Sequence, residues 1–141
     1  KRQTFSLRGK NFYITHGDGV LSWDYGYRIL KKIIRSPFFI WCFRLLHPTL
    51  AYKIARKVSR TENHPELPEE VREKIRNELK NYALTHFQKG FDYMVCGHYH
   101  LNEIIDVKKG KLAVLGDWQD DPSYAVFDGK ELTLHQWEND A

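Results

Sequence analysis

The sequence is poor in cysteine and lacks a long apolar run. Cys42 and Cys96 are its two cysteines and lie far apart in apolar stretches, which excludes a disulfide framework and predicts two buried thiols in a reducing, cytoplasmic compartment. The longest apolar run covers residues 38–43, far short of the roughly 20 residues that a membrane-spanning helix requires. Residues 1–7 also lack the apolar region of a signal peptide. We therefore expect a cytoplasmic chain without a transmembrane helix.

Glycine and proline are scarce, and no tract is of low complexity. The chain has nine glycines and five prolines among 141 residues, with 42% hydrophobic and 28% charged residues. These values exclude disordered and fibrous compositions. The length and apolar content suit one compact domain with its own core.

Acidic side chains are missing from residues 25–60. Nine of the 22 basic residues lie in this segment, so it carries a charge of +9, and the rest of the chain carries −5. Large apolar residues accompany these cations, as in an interfacial helix. Three interpretations are open: a lid or surface that meets anionic lipid, a surface that binds nucleic acid, or an ordinary helical hairpin in the core. The helically spaced aliphatic residues disfavour nucleic acid, which requires aromatic stacking along a groove.

The order of the predicted elements is typical of an α/β domain. Residues 11–15 alternate as in a strand, and a two-residue hairpin turn is predicted at Asp128 and Gly129. Apolar residues at helical spacing, with proline and glycine at the helix ends, predict four helices that begin near residues 25, 37, 49 and 68. Strand-like runs then occupy residues 91–96, 102–107, 111–115, 124–127 and 131–137.

Three of the seven histidines lie in glycine-containing motifs directly after predicted strands. These are His16, in Thr15-His16-Gly17-Asp18, and His98 and His100, in Gly97-His98-Tyr99-His100. Ligands collect at strand ends in open α/β sheets, and neutral imidazoles bind divalent cations. The two motifs together predict a metal site. Zinc is disfavoured, because Cys96 has no second cysteine at ligand spacing. Exposed or satisfied side chains without a functional role are expected for His47, His64, His86 and His135.

In these motifs, their order and their spacing, the chain resembles the calcineurin-like metallophosphoesterases. With the basic helical segment and Leu115-Gly116-Asp117-Trp118, it looks like the branch that hydrolyses UDP-2,3-diacylglucosamine in lipid A biosynthesis. The resemblance implies an α/β fold, the C-terminal half of a layered metallophosphoesterase sandwich over residues 1–141, with a helical lid insertion over residues 25–66. It also implies a cytoplasmic enzyme that is peripheral on the inner membrane and contacts its anionic surface.

The same resemblance implies the chemistry of the site. Two divalent metal ions, manganese in this family, would promote hydrolysis of a lipid-nucleotide substrate to UMP and 2,3-diacylglucosamine 1-phosphate. His16 and His98 would bind one metal and His100 the other, and His98 would also approach the phosphate as a catalytic residue. Asp18 would orient the loop or support His16.

The resemblance also assigns three substrate-binding residues. Asp24 stands where the family has a carboxylate that contacts the substrate, and Arg56 and Ser59 correspond to lid residues near the phosphosugar. None of the family's earlier motifs, Asp-x-His, Gly-Asp-x-x-Asp and Gly-Asn-His or Gly-Asn-Arg, precedes the two histidine motifs in this sequence. We therefore expect a missing N-terminal half of the same protein to supply the remaining ligands.

Two alternatives to this function are open. A related phosphoesterase would act on a soluble nucleotide or phosphodiester, with residues 25–66 serving as an ordinary core hairpin. A non-catalytic basic fragment would bind a membrane or nucleic acid through the same residues. The histidine motifs favour the enzyme, because a binding fragment does not require imidazoles at two strand ends.

Overall fold

The fold is taken from a computed structural model, which describes residues 2–23, 25–58 and 67–137. Within these ranges the helices are α1 (Tyr25–Ile34), α2 (Pro37–Arg44), α3 (Pro48–Val58) and α4 (Glu69–Phe87). The strands are β1 (Arg2–Leu7), β2 (Lys10–Thr15), β3 (Tyr93–Cys96), β4 (Glu103–Val107), β5 (Gly110–Val114), β6 (Ser123–Phe127) and β7 (Leu132–Gln136). The chain is therefore a mixed α/β protein, as the sequence predicts.

The main sheet has parallel strands at its centre and antiparallel strands at its edges. Its order is β1-β2-β3-β5-β4. β2, β3 and β5 are parallel neighbours, whereas β1 pairs with β2 and β4 pairs with β5 in the antiparallel sense. The carboxyl ends of the three parallel strands consequently lie at the same edge of the sheet.

Helix α4 covers one face of this sheet. Ile75, Leu79 and Ala83 recur every four residues and are buried, because this spacing places them on one side of a helix. They share a core cluster with the sheet residues Met94, Cys96, Ile105, Val107, Leu112 and Val114. Full burial of a side chain the size of Leu79 contributes about 1.5–3 kcal/mol, so the sequence stripe on α4 is a main source of stability.

A separate hairpin covers part of the opposite face. β6 and β7 pair only with each other, in the antiparallel sense. Leu132 of β7 clusters with the sheet residues Phe12, Tyr93, Val95 and Ala113. Successive residues of a strand point to opposite faces, and β3 accordingly sends Val95 toward the hairpin cluster and Met94 toward the α4 cluster. Helix, sheet and hairpin thus form three layers.

The chain divides into two compact units. One combines Lys1–Leu21 with Glu69–Ala141, and the other is Ser22–Pro68. In the second unit, the Ser36 hydroxyl oxygen accepts a hydrogen bond from the Phe39 backbone N–H at 3.2 Å, and Pro37 occupies the first turn of α2. This cap separates α2 from α1, and α2 begins at the position that the sequence predicts.

Strand β1 is not among the strands predicted from the sequence. All six of its side chains are exposed, so it lacks the buried face that usually identifies a strand. It is held by pairing with β2 and by stacking of Phe5 on Phe12, with ring centroids 5.0 Å apart. Backbone hydrogen bonds and one ring contact therefore place an edge strand that hydrophobic alternation does not reveal.

The turn between β6 and β7 corrects the sequence-based prediction of a two-residue hairpin loop at Asp128 and Gly129. Phe127 pairs with Leu132, so four residues form the loop. The Asp128 carboxylate accepts hydrogen bonds from the backbone N–H groups of the two residues before Leu132, at 2.7 and 2.8 Å. These bonds lower the pKa of Asp128 and stabilise a longer loop than the dipeptide alone indicates.

The two cysteines lie in different environments. Cys96 is buried at the end of β3, and its burial raises the pKa of its thiol to about 12. Cys42 on α2 is partly exposed, so the prediction of two buried thiols is correct for Cys96 and wrong for Cys42. In the part of the chain that the structure describes, no helix has the length and apolar character needed to cross a bilayer.

Candidate functional site

Three loops leave the sheet at the carboxyl ends of its parallel strands. His16 follows β2, residues 97–100 follow β3, and residues 115–118 follow β5. Because these strands are adjacent and parallel, the loops emerge side by side. The strand order therefore brings together two histidine motifs that are far apart in the sequence, as expected for a binding site at the end of a parallel sheet.

A buried tyrosine joins the two histidine loops. Tyr99 lies between His98 and His100, and its hydroxyl donates a hydrogen bond of 2.8 Å to the backbone carbonyl oxygen of Gly17. A hydrogen bond within the second loop, from the Tyr99 N–H to the Gly97 carbonyl oxygen at 2.9 Å, tightens the turn. Tyr99, the variable residue of the Gly-His-x-His motif, thus fixes the separation of the two histidine loops.

Gly17 permits this close approach. Its φ is +97°, in the left-handed region, and a Cβ atom there would lie 2.9 Å from the Gly97 carbonyl oxygen and 3.3 Å from the Tyr99 ring. A side chain would therefore meet the backbone of the other loop and a strained φ at the same time. The glycine beside His16 has a structural reason: it lets the two loops touch.

Both histidines of the second loop have unusual backbone angles. His98 has a φ of +72° and His100 a φ of +51°. Side-chain-bearing residues in the left-handed region cost on the order of 1–3 kcal/mol and tend to occur at functional sites. The Tyr99 hydrogen bond helps to hold this conformation, and the strain marks the loop as a candidate binding element.

The three predicted metal ligands line one cavity of about 600 Å³. The rings of His16 and His98 have centroids 5.0 Å apart and an interplanar angle of 61°. His16 and His100 are exposed and His98 is partly buried, so all three are accessible from the cavity. Much of the remaining wall is apolar and includes Phe5, Leu7, Phe12, Ile14, Val95 and Leu115.

The described residues give this cavity three imidazole donors. Imidazole nitrogen suits zinc, copper, iron and nickel, whereas manganese prefers carboxylate, carbonyl and water oxygens. Among residues 2–23, 25–58 and 67–137, no group of three or more His, Cys, Asp or Glu side chains is arranged to hold a metal ion. His16, His98 and His100 share the cavity but do not complete a coordination shell within these residues.

A third loop is fixed beside the histidines by polar contacts that the sequence did not indicate. The Asp121 carboxylate accepts hydrogen bonds from the side-chain amides of Asn102, at 2.6 Å, and Gln136, at 2.7 Å. The Gly116 N–H donates to the Ser123 hydroxyl oxygen at 2.7 Å. Asp121 thereby connects the loop after β5 with the segment before β4 and with β7.

The Leu115-Gly116-Asp117-Trp118 motif divides into structural and exposed parts. A Cβ atom on Gly116 would overlap the Asp121 carbonyl oxygen, so this position requires glycine. The Asp117 carboxylate accepts a hydrogen bond of 2.9 Å from the Gln119 N–H and caps the local turn. Trp118 is 67% exposed and lines the histidine cavity. Tyr124, which sequence analysis also missed, lines the same cavity.

Of the three predicted substrate-binding residues, one lies within the described part of the chain. Asp24 and Ser59 are outside the described residues. Arg56 is an exposed residue of α3, in the unit Ser22–Pro68. Asp18 lies partly buried in the turn after His16. Their assigned roles stay predictions.

Of the four histidines expected to lack a functional role, three lie within the described residues. His47 is exposed and its Nδ1 accepts a long hydrogen bond from the Thr49 N–H. His135 is exposed and stacks on Tyr124 with centroids 5.6 Å apart. His86 is buried, and its Nδ1 donates to the Tyr82 carbonyl oxygen at 2.9 Å. His64 lies outside the described residues.

The second unit contains a cavity of its own, of about 560 Å³. Its wall is almost entirely apolar, with one cation, and consists of Leu30, Ile34, Phe39, Ile40, Phe43, Arg44, Ile54 and Ala55. All three helices of the unit contribute to it. The helical spacing recognised in the sequence thus produces a groove lined by hydrocarbon, the kind of surface that accepts an apolar chain.

No protein-family model matches this chain, and no curated protein does so either.

Proposed function

We propose that this chain forms the histidine-bearing part of a metal-dependent hydrolase that cleaves a phosphoester or pyrophosphate bond. The observation that carries the proposal is the shared cavity of His16, His98 and His100, at the carboxyl edge of three parallel strands. Imidazoles converging from two loops are the ligands expected of such a site. The left-handed backbone of His98 and His100 supports a role in binding.

In this proposal each histidine has a distinct task. His16 and His98, whose rings are 5.0 Å apart, hold one divalent cation, and His100 holds a second. His98 also contacts the phosphate, which requires the accessible position that its loop gives it. Two such cations supply activated water and neutralise charge on the phosphoryl oxygens. The oxygen ligands that the described residues lack come from further polypeptide that bears acidic metal-binding motifs.

The second unit supports a proposal for the substrate class. An apolar groove of about 560 Å³ in a segment with nine cations and no acid between residues 25 and 60 suits an acylated anion, because hydrocarbon and phosphate need opposite surroundings. We propose UDP-2,3-diacylglucosamine as the substrate and UMP and 2,3-diacylglucosamine 1-phosphate as the products. Asp24, Arg56 and Ser59 are the proposed substrate contacts. Acting on such a lipid places the protein at an anionic cytoplasmic membrane surface.

Hydrolysis in the presence of manganese tests the proposal. The chain alone should release negligible nitrophenol from bis(p-nitrophenyl) phosphate. Mixed with a polypeptide that carries Asp-x-His, Gly-Asp-x-x-Asp and Gly-Asn-His motifs, it should hydrolyse the diester and the lipid nucleotide. His98→Ala and His100→Ala should then each reduce kcat by several orders of magnitude, with an unchanged circular dichroism spectrum.

His135→Ala is the matched control, because His135 is also an exposed histidine of the same unit but lies outside the wall of the cavity. Equal losses in all three variants would contradict the metal assignment. Substantial turnover by the chain alone would contradict the shared ligand set. If Arg56→Ala raised the KM for the lipid and the chromogenic diester alike, the proposed lipid contact would be wrong and a soluble phosphodiester would become the better substrate.

A further inference from the structure

Helix α2 is apolar on two separate sides. Phe39, Ile40 and Phe43 line the groove of the second unit. Phe38, Trp41 and Leu45 are spaced by three and four residues, which places them together on another side of the helix. Leu45 follows the last residue of α2 but keeps a right-handed helical conformation, with φ −80° and ψ −13°. A helix that is apolar around most of its circumference is normally buried in protein or in lipid.

We call Phe38, Trp41 and Leu45 the outer face of α2. Their exposed fractions are 75%, 59% and 68%, so the groove does not account for them. Phe38 and Trp41 also contact each other, with ring centroids 6.4 Å apart, and so form one continuous apolar patch. Scattered apolar residues are common on protein surfaces, but an adjoining group that includes tryptophan indicates an interaction surface.

The charge of the segment decides which partner fits this patch. Residues 25–60 contain nine basic residues and no acidic one. A second copy of the same surface would bring equal positive charge against it, which opposes association. An anionic bilayer offers hydrocarbon for the outer face and phosphate for the cations of the same segment. Tryptophan is also enriched at the membrane interface, where its ring meets both surroundings.

We propose that α2 lies in the plane of an anionic membrane and inserts Phe38, Trp41 and Leu45 among the lipids. The inference deepens the proposed function, on which it rests for its membrane, by naming the surface that makes the contact. Arg44, between Trp41 and Leu45 in α2, can extend its guanidinium to lipid phosphates while its aliphatic stem lies against hydrocarbon. The groove side of α2 remains available to an acyl chain. One short helix thus contacts the bilayer and the lipid substrate with different sides.

Vesicle co-sedimentation of the 141-residue chain tests the proposal without metal or substrate. The probes are vesicles of phosphatidylcholine alone and of phosphatidylcholine with 30% phosphatidylglycerol. We expect binding to the anionic vesicles that weakens as salt is raised, and little binding to the neutral ones. Phe38→Ser and Trp41→Ser should each weaken binding on the order of tenfold, because each removes a large apolar group from lipid.

Trp137→Ser is the matched control, since Trp137 is 54% exposed and Trp41 59%, but Trp137 belongs to the other unit and lies outside the wall of the histidine cavity. It should bind like the unaltered chain. A second measurement uses vesicles with brominated acyl chains, which quench nearby tryptophans: Trp41→Phe should remove most of the quenching while retaining binding. Equal weakening by Trp137→Ser and Trp41→Ser, absence of binding to anionic vesicles, or undiminished quenching in Trp41→Phe would overturn the proposal.

The outcome can be separated from that of the proposed function. Loss of diester hydrolysis in the histidine variants, together with absent vesicle binding, would leave the hydrolase and remove the membrane surface. Vesicle binding that depends on Phe38 and Trp41, in a chain whose histidine variants show no catalytic defect, would do the reverse.

Discussion

The hydroxyl of Tyr99 and the carbonyl oxygen of Gly17 are 2.8 Å apart, and this hydrogen bond connects the loop of His16 with the loop of His98. Both partners are buried. The bond therefore joins a side chain of one histidine loop to the backbone of the other, and we expect it to influence how closely the imidazoles are held.

Tyr99→Phe should separate the effect of this hydrogen bond from the effect of the packing of the Tyr99 ring. It keeps the ring but leaves the Gly17 carbonyl oxygen without this donor, which costs about 1–3 kcal/mol for a buried group. We expect a lower midpoint in urea unfolding and weaker Mn²⁺ binding, measured by electron paramagnetic resonance. Tyr124→Phe is a suitable control, because Tyr124 is an exposed residue of the same cavity. Equal affinities in the two variants would show that the bond does not position the histidines.

Gly17→Ala should be more damaging than a glycine replacement elsewhere. The new Cβ would meet the Gly97 carbonyl oxygen at 2.9 Å and would sit at a φ of +97°, so the loops must separate or strain. Gly26→Ala is the control, since a Cβ at that helical position meets nothing within 4 Å and alanine favours a helix by about 1 kcal/mol. Thermal unfolding should show opposite shifts; a stabilised Gly17→Ala chain would refute the close approach.

His86→Ala should affect stability and spare the proposed catalysis. The ring is buried, lies 4.0 Å from the Tyr13 ring between centroids, and donates to the Tyr82 carbonyl oxygen. Its removal leaves a cavity and an unsatisfied acceptor, for which a loss of about 1–3 kcal/mol is expected. Urea unfolding measures the loss, and Mn²⁺ affinity should remain that of the unaltered chain. A change in affinity would place His86 in the site.

Asp92 should make stability depend on acid pH. Its carboxylate accepts a hydrogen bond from the Asn11 N–H at 2.9 Å and another from the Lys10 ammonium at 3.1 Å. Both bonds lower the pKa of Asp92 below its ordinary value of 3.8, and the bond from Asn11 has the larger effect. The contribution is complete above the unfolded pKa and disappears as the pH falls through the folded one. Asp92→Asn should therefore lower the Tm at pH 7, by an amount that shrinks toward pH 2.

Asp106→Asn gives the comparison for that measurement, because Asp106 is highly exposed and its nearest cation contact is a 3.9 Å ion pair with Lys111. It should change the Tm little at either pH. A gap between Asp92→Asn and the unaltered chain that stays constant from pH 7 to pH 2 would exclude the hydrogen-bonded carboxylate as its cause.

Local sequence signals predicted the helices and strands best where a single residue determines the local backbone conformation. Ser36 and Pro37 start α2 as expected, since an N-cap oxygen and a proline act within a single turn. The α4 stripe was also evident, because Ile75, Leu79 and Ala83 repeat with the period of a helix. β1 was missed because it is held by backbone pairing with β2, and its exposed side chains form no buried face that would identify a strand.

The site was predictable in part for a similar reason. Glycine beside His16 and His98 identifies loops at strand ends, and the sheet order brings these loops together. The roles of Tyr99 and Asp121 depend on partners distant in the chain, namely Gly17 for the tyrosine and Asn102 and Gln136 for the aspartate. A single sequence carries no local signal for such pairs. The sequence feature that comes nearest to indicating the role of Tyr99 is an aromatic residue between two histidines after a buried strand.

The parallel pairing of β2 with β3 has a kinetic consequence. Phe12 is matched with Tyr93 across the whole span that contains α1 to α4, so a very long loop must close before the centre of the sheet exists. Long-range closure of this kind slows folding. During synthesis on the ribosome, the helices of residues 25–58 emerge well before β3 does, and the His16 loop cannot contact its neighbour until residues 97–100 have also been made.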